Sequence, residues 1–199
     1  MFCMLFTVTV KLAAQEQIYK SAFGKNDSIN AKTSYYGGFV HQHQNFFDKS
    51  FSYQSLEFGV LLKNKFITGV YAATFISDFN TEIEEKPMLV RMSQAGAMAG
   101  GIWKNQGILH AGWQLNAGYF TLNAEPSDYQ ANFSNNSDIF INGLVLSPQI
   151  YAELNITDWM KFRTGLAYNF YFFEDDSSVE KSDIQNFSLN FGFIFGKFN

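Results

Sequence analysis

From about residue 33 to the end, apolar and polar side chains alternate in stretch after stretch, and this two-residue period constrains the fold more than any other feature. Met160, Phe162, Thr164, Leu166, Tyr168, Phe170 and Phe172 fall on one face of an extended chain, opposite Lys161, Arg163, Gly165, Ala167, Asn169 and Tyr171. Phe187, Leu189, Phe191, Phe193 and Phe195 stand likewise against Ser188, Asn190, Gly192 and Gly196. Leu109, Ala111, Trp113, Leu115, Ala117 and Tyr119 oppose His110, Gly112, Gln114, Asn116 and Gly118, and Leu56, Phe58, Val60 and Leu62 oppose Glu57, Gly59 and Lys63.

A soluble β-sandwich also alternates, but its polar face looks outward and is rich in Lys, Glu and Thr. Here the polar faces are small and mild, mostly Gly, Ala, Asn, Gln and Ser with isolated charges, which suits a crowded interior. The apolar faces are strongly aromatic: 18% of the 199 residues are Phe, Tyr or Trp, with 23 Phe alone, and lipid is the surroundings that absorb such a surface. Charged residues at 16%, against about 25% in ordinary domains, argue against disorder and coiled coil. A net charge of −4 argues against a nucleic-acid partner. No run of about 18 apolar residues occurs, so a helical span is excluded, whereas strands of about 9–11 residues suffice to cross a bilayer.

The predicted fold is all-β, an eight-stranded antiparallel up-and-down transmembrane β-barrel over 33–199, with strands at 33–43, 52–63, 66–77, 89–104, 107–121, 139–156, 160–172 and 184–198. Pro148 in the sixth forfeits a ladder hydrogen bond and predicts a bulge. Connections alternate between long (44–51, 78–88, 122–138, 173–183) and short (64–65, 105–106, 157–159), as in a meander barrel with short periplasmic turns and longer outer loops. Twelve of the 18 acidic residues fall in the last three long connections, while Lys63, Lys65, Lys104, Lys161, Arg163 and Lys197 lie toward the short-turn end. Trp103, Trp113 and Trp159 are candidates for an interfacial girdle.

Ahead of the barrel, the apolar stretch from Phe2 to Ala14 has the length of a signal-peptide core and ends in small residues, so 1–15 are expected to be a signal peptide. No basic residue precedes it, as expected of a translation start placed several codons late. Cleavage there removes Cys3 and leaves no thiol chemistry to propose. Residues 16–32 are expected to form a periplasmic segment.

The opening Ser34-Tyr35-Tyr36-Gly37-Gly38-Phe39, the Gly-spaced strands and the closing Phe191-Gly192-Phe193-Ile194-Phe195-Gly196-Lys197-Phe198 resemble the small eight-stranded outer-membrane β-barrels of Gram-negative bacteria. The Phe- and Asn-rich style is similar to those of the Bacteroidota. The resemblance implies export to the outer membrane, contact with its lipid and lipopolysaccharide, and assembly by the barrel-assembly machinery, with Phe198 as the closing aromatic. It names an architecture and no activity.

A barrel of this size is only wide enough for side chains to fill it. Glu57, Lys63, His110, Glu153, Lys161 and Arg163 are expected to point inward, where charges must pair; they read as a structural ion-pair network or as a narrow ion path. His41 and His43 share a strand face near the outer rim with Asp48 behind them, a set that fits a Zn²⁺ or Ni²⁺ site or, more simply, solvated rim histidines. No nucleotide, zinc-protease or nucleophile-elbow motif occurs, and no cofactor is expected. The acidic loops are suited to a divalent cation or an extracellular protein partner. Three functions follow: a non-enzymatic envelope or adhesion barrel; a lipid-A-modifying barrel enzyme using His41 or His43 with Ser77 and Asp78; and a soluble lipocalin-like carrier, in which Phe162, Leu166 and Phe170 would line a cavity.

Overall fold

The computed structural model describes residues 33–46, 49–63, 65–75, 79–83, 86–103, 107–126, 139–174 and 179–198. The expected signal peptide, periplasmic segment and Cys3 lie outside them. The alternating stretches form strands β1 (Thr33–Phe46), β2 (Lys49–Leu62), β3 (Phe66–Phe75), β4 (Phe79–Ile83), β5 (Lys86–Trp103), β6 (Leu109–Pro126), β7 (Ile139–Asn155), β8 (Met160–Phe172) and β9 (Asn186–Gly196), with one short helix, α1 (Lys181–Ile184). Neighbours in the sheet run β3-β2-β1-β9-β8-β7-β6-β5-β4, and β3 also pairs with β5, which closes it. β4 continues the line of β3: Thr74 stands opposite Ser93 and Phe79 opposite Val90, a register shift of two residues across the break. The nine segments therefore build eight antiparallel wall strands.

The ladders also fix the stagger. From His41, pairing through Gln54, Thr74, Ser93 and Thr121 leads to Asn142 on β7. The other way round, through Phe191 and Thr164, it leads to Ala152 on the same strand. The difference, 152 − 142, is a stagger of ten residues for eight strands, which corresponds to a strand tilt of about 40°.

Along most strands the buried apolar face changes sides part-way up. In the half nearer the short turns the apolar residues face out (Phe58 and Leu56 on β2; Trp113, Leu115 and Tyr119 on β6; Ile150 and Leu144 on β7) and all are exposed on the barrel wall. Farther up, the apolar residues face in: Tyr53 and Phe51, Met92 and Val90, Phe120 and Leu122, Val145 and Ile141 are all buried. The outward residues there turn polar at His41, Gln54, Thr74, Ser93, Thr121 and Asn142, the six ladder neighbours just traced. Below that line the wall has the polarity of a membrane barrel, and above it the polarity of a water-soluble one.

This inversion corrects the expected loop lengths. β1 and β2 pair as far as Phe46 opposite Lys49, and β5 and β6 as far as Met88 opposite Pro126, so most of 44–51 and 78–88, and residues 122–126 of 122–138, are strand. An inward apolar face keeps these ladders together after the outward face has turned polar. β5 and β6, with 18 residues each, rise about 45 Å along the axis at that tilt, against an apolar band of about 25 Å in membrane barrels. The last long connection is also not a simple solvated loop: Val179 and Ile184 are buried in the barrel mouth, and Gln185 donates to the Tyr171 carbonyl at 3.2 Å.

Pro148 produces no bulge. The β7–β8 register is the same on both sides of it (Leu146 opposite Phe170, Gln149 opposite Ala167), and only the pairing of residues 147 and 148 with β8 lapses. The glycines answer a packing need. Tyr36, Tyr71 and Tyr151 lie inside the barrel opposite Gly59, Gly96 and Gly112. A Cβ on Gly112 would sit 2.5 Å from the Tyr151 ring, and one on Gly59 2.8 Å from the Tyr36 hydroxyl. Gly59 and Gly112 are bare because a cross-strand tyrosine covers them, whereas a Cβ on Gly96 would meet the Ala117 and Gly118 backbone. Among the described residues no helix is long and apolar enough to cross a membrane, which says nothing against strands doing so.

Candidate functional site

Five of the six charged residues expected in the lumen meet there. Glu57 comes from β2, His110 from β6, Glu153 from β7, and Lys161 and Arg163 from β8; each is at most 4% exposed. Arg163 clamps Glu153 through Nε (2.9 Å) and Nη2 (2.8 Å), and reaches across the barrel with Nη1 to Glu57 (2.9 Å). Lys161 donates to the other Glu153 oxygen at 3.1 Å, and that oxygen also lies 2.8 Å from His110 Nε2. Gln114 ties the halves together, donating to Glu57 at 3.3 Å and to Asn116 at 2.9 Å and accepting from Arg163 at 3.2 Å. Two carboxylates and two cations balance. The pairing answers the large cost of an unpaired charge away from water.

Lys63 does not belong to this group. It sits exposed in the β2–β3 turn with φ of 50°, where the Lys65 N–H donates to the Leu62 carbonyl at 3.0 Å. The strand period projects it inward, but the tight turn begins one residue earlier than that period assumes.

The network is closed below and above. At its lower end the Phe198 ring lies 4.2 Å from Lys161 Nζ, and on the outer side of the Glu153–Arg163 pair the Tyr151 ring lies 4.4 Å from the Arg163 guanidinium. Tyr36, Leu61, Ile67, Met98 and Ile194 belong to the same apolar cluster as Tyr151 and Phe198. Over it lies a belt of amides and hydroxyls in which Ser147 donates to Asn169 (2.6 Å), Asn169 to Gln44 (2.6 Å) and Asn190 to Gln149 (3.0 Å). Gln94 Oε1, Gln149 Nε2 and Asn190 Oδ1 are buried without a protein partner, the kind of group internal water serves. The mouth is then filled by Phe51, Phe120, Leu122, Ile141, Tyr171, Val179 and Ile184. Among the described residues the polar side chains thus give way to apolar ones at the mouth.

Of the expected metal set, the described residues hold only His41 and His43. His41 and His43 point outward from β1: the His41 ring packs 4.7 Å from Phe191, and His43 Nδ1 lies 3.1 Å from Ser52 Oγ. Asp48 lies outside the described residues, as do Ser77 and Asp78 of the enzyme reading, and no group of three metal-ligating side chains occurs among the described ones. The carrier reading is contradicted, since Phe162, Leu166 and Phe170 face away from the lumen. Sequence reasoning missed Gln114 as the link between the carboxylates and missed the cap. Val179 and Ile184, isolated apolar residues in an acidic stretch, were the available signal for the latter.

A closed eight-stranded antiparallel barrel with an aromatic outer wall and a filled polar lumen is the architecture of the small outer-membrane barrels. Among solved structures the chain is similar to Neisserial surface protein A (TM-score 0.57, 12% identity, covering 83% of this chain and 97% of that one). It is also similar to OprG from Pseudomonas aeruginosa (0.56, 11%, covering 82% and 94%) and to a major outer-membrane protein from Thermus thermophilus (0.57, 11%, covering 82% and 99%). At such identities the likeness concerns the fold. No family model and no curated protein sequence matches the chain.

Proposed function

We propose that this chain is a sealed, non-enzymatic outer-membrane β-barrel that contributes to envelope structure and presents the protruding ends of its strands as a surface for adhesion or partner binding. The observation that carries this is the inversion of the apolar face along most strands: the wall is apolar outside up to the polar line at His41, Gln54, Thr74, Ser93, Thr121 and Asn142, and apolar inside beyond it. A barrel lying wholly in water has no use for the first half, and one lying wholly in lipid has none for the second. The filled lumen supports a scaffold in place of a pore, and the fold shared with the surface protein and outer-membrane barrels named above supports the location. Among the described residues the acidic side chains of the outer half include Glu125, which pairs with Arg91 at 3.6 Å with both about half exposed, an interaction worth about 0–1 kcal/mol.

In the native host the chain is expected in the outer-membrane fraction, and unboiled samples should migrate differently from boiled ones on an SDS gel. Purified protein in planar bilayers should leave the current at the lipid baseline. A soluble periplasmic band with unchanged mobility would overturn the location, and steady unitary currents would overturn the sealed lumen.

A further inference from the structure

At the outer end, β7 stands beyond its neighbour β8. It pairs with β6 up to Ile139, opposite Ala124, whereas its last partner on β8 is Phe172, opposite Leu144. Residues 139–143 therefore have a strand on one side only, among the described residues. The cause lies in the cap: after Phe172 the chain leaves the wall, and Phe173 packs edge-on over Phe120 at 6.1 Å and beneath the Lys181 ammonium at 5.6 Å. A notch of about 550 Å³ is left beside β7, lined in part by Phe140, Asn142, Leu144, Phe172 and Glu174.

The direction of the free main-chain groups follows from the ladder. Asn155 N–H donates to Ile108 on the β6 side, and Ile156 N–H to Met160 on the β8 side. Alternation along an unbroken register then turns the even-numbered residues of β7 toward β8. Pro148 agrees, since the β8 ladder lapses beside it while the β6 ladder continues. The N–H and C=O groups of Phe140 and Asn142 consequently face the notch. Lipid offers no partner for such groups, so the notch belongs at or above the bilayer surface. The Asn142 side chain, which accepts from the Tyr119 hydroxyl at 2.5 Å, marks that level.

We propose that this edge is a strand-addition site, which takes an extended segment of a partner protein alongside residues 139–143. The main-chain groups of Phe140 and Asn142 set its register. The outward side chains Phe140, Leu144 and Phe172, at 61%, 62% and 52% exposure, offer apolar contact to its alternate residues, and exposed Glu174 favours a basic residue at one end. An exposed edge with unpaired groups and apolar flanks is a template for another strand. The proposal rests on the outward-presenting barrel and names the kind of partner that surface fits. The two fail separately, because fractionation decides the location and amide exchange decides the edge.

The test is amide hydrogen exchange by NMR on the full chain in phospholipid nanodiscs. The probe is the synthetic peptide Lys-Val-Thr-Val-Thr-Val-Lys at millimolar concentration. Without peptide, the Phe140 and Asn142 amides should exchange freely while Ile141 and Gly143, bonded to β6, are protected. With peptide, exchange at Phe140 and Asn142 should slow by about tenfold or more, and a version N-methylated at alternate residues should leave it unchanged. In Asn142→Pro, which removes one donor at a position equivalent to Pro148, the peptide should no longer protect Phe140, and heat-modifiable gel mobility should persist. Protection of both amides in the absence of peptide, no protection by it, or equal protection by the methylated form would each overturn the proposal.

Discussion

Arg163→Met is expected to lower the stability of the folded barrel by about 3–5 kcal/mol, read as a shift in the urea unfolding midpoint in lipid vesicles. Among the described residues the guanidinium is the only group that touches both lumen carboxylates: it binds Glu153 through two nitrogens and Glu57 through the third. Without it, among the described residues, Glu57 retains only Gln114, and Glu153 only Lys161 and His110. A buried carboxylate short of a cation costs far more than the net worth of the intact pair, because burial has already removed its water. The double variant Glu57→Gln with Arg163→Met removes one charge of each sign and leaves the Glu153–Lys161 pair at 3.1 Å. It is expected to recover a substantial part of the loss. A single variant within about 1 kcal/mol of the parent, the range of an exposed ion pair, would show that these charges are solvated.

Phe120→Ala is expected to cost about 3–5 kcal/mol and to loosen the mouth. Its ring has 0% exposure, meets Tyr171 edge-on at 4.9 Å and carries Phe173 at 6.1 Å. Phe173 is where the chain turns off the wall toward Val179 and Ile184, so a cavity beneath it removes the seat of the cap. Added trypsin is therefore expected to cut after Lys181, whose ammonium lies 5.6 Å from the Phe173 ring, faster in this variant than in the parent. An unchanged unfolding midpoint with no faster cleavage would mean that the cap is held without the aromatic cluster.

The lower half of the barrel is legible in the sequence because its rule is local. With Phe, Leu and Trp at one parity and Glu57, His110, Glu153, Lys161 and Arg163 at the other, a period of two assigns each residue to a face without knowledge of any neighbour. The same rule hides the upper half. Tyr119 and Phe120 are adjacent apolar residues on β6, as are Leu144 and Val145 on β7, and at such pairs the apolar parity passes from the outer wall to the inner one. Read as one pattern the alternation breaks there, so the strands seem to end early and their continuations look like loops. Lys63 fails for a different reason, since the φ of 50° that begins the turn is a property of the hairpin and not of the strand period. The pairing partners within the lumen, above all the reach of Arg163 from β8 to Glu57 on β2, depend on the ten-residue stagger, which no single strand carries.

The claim on which everything rests is that the aromatic outer wall of the lower half lies in lipid, and tryptophan fluorescence tests it most directly. Trp103, Trp113 and Trp159 are the chain's three tryptophans, and all point outward in that half, at 53%, 40% and 57% exposure. In vesicles whose acyl chains carry bromine most of their emission should be quenched, while aqueous iodide should have little effect. Emission indifferent to brominated lipid and freely quenched by iodide would place that wall in water and contradict the account.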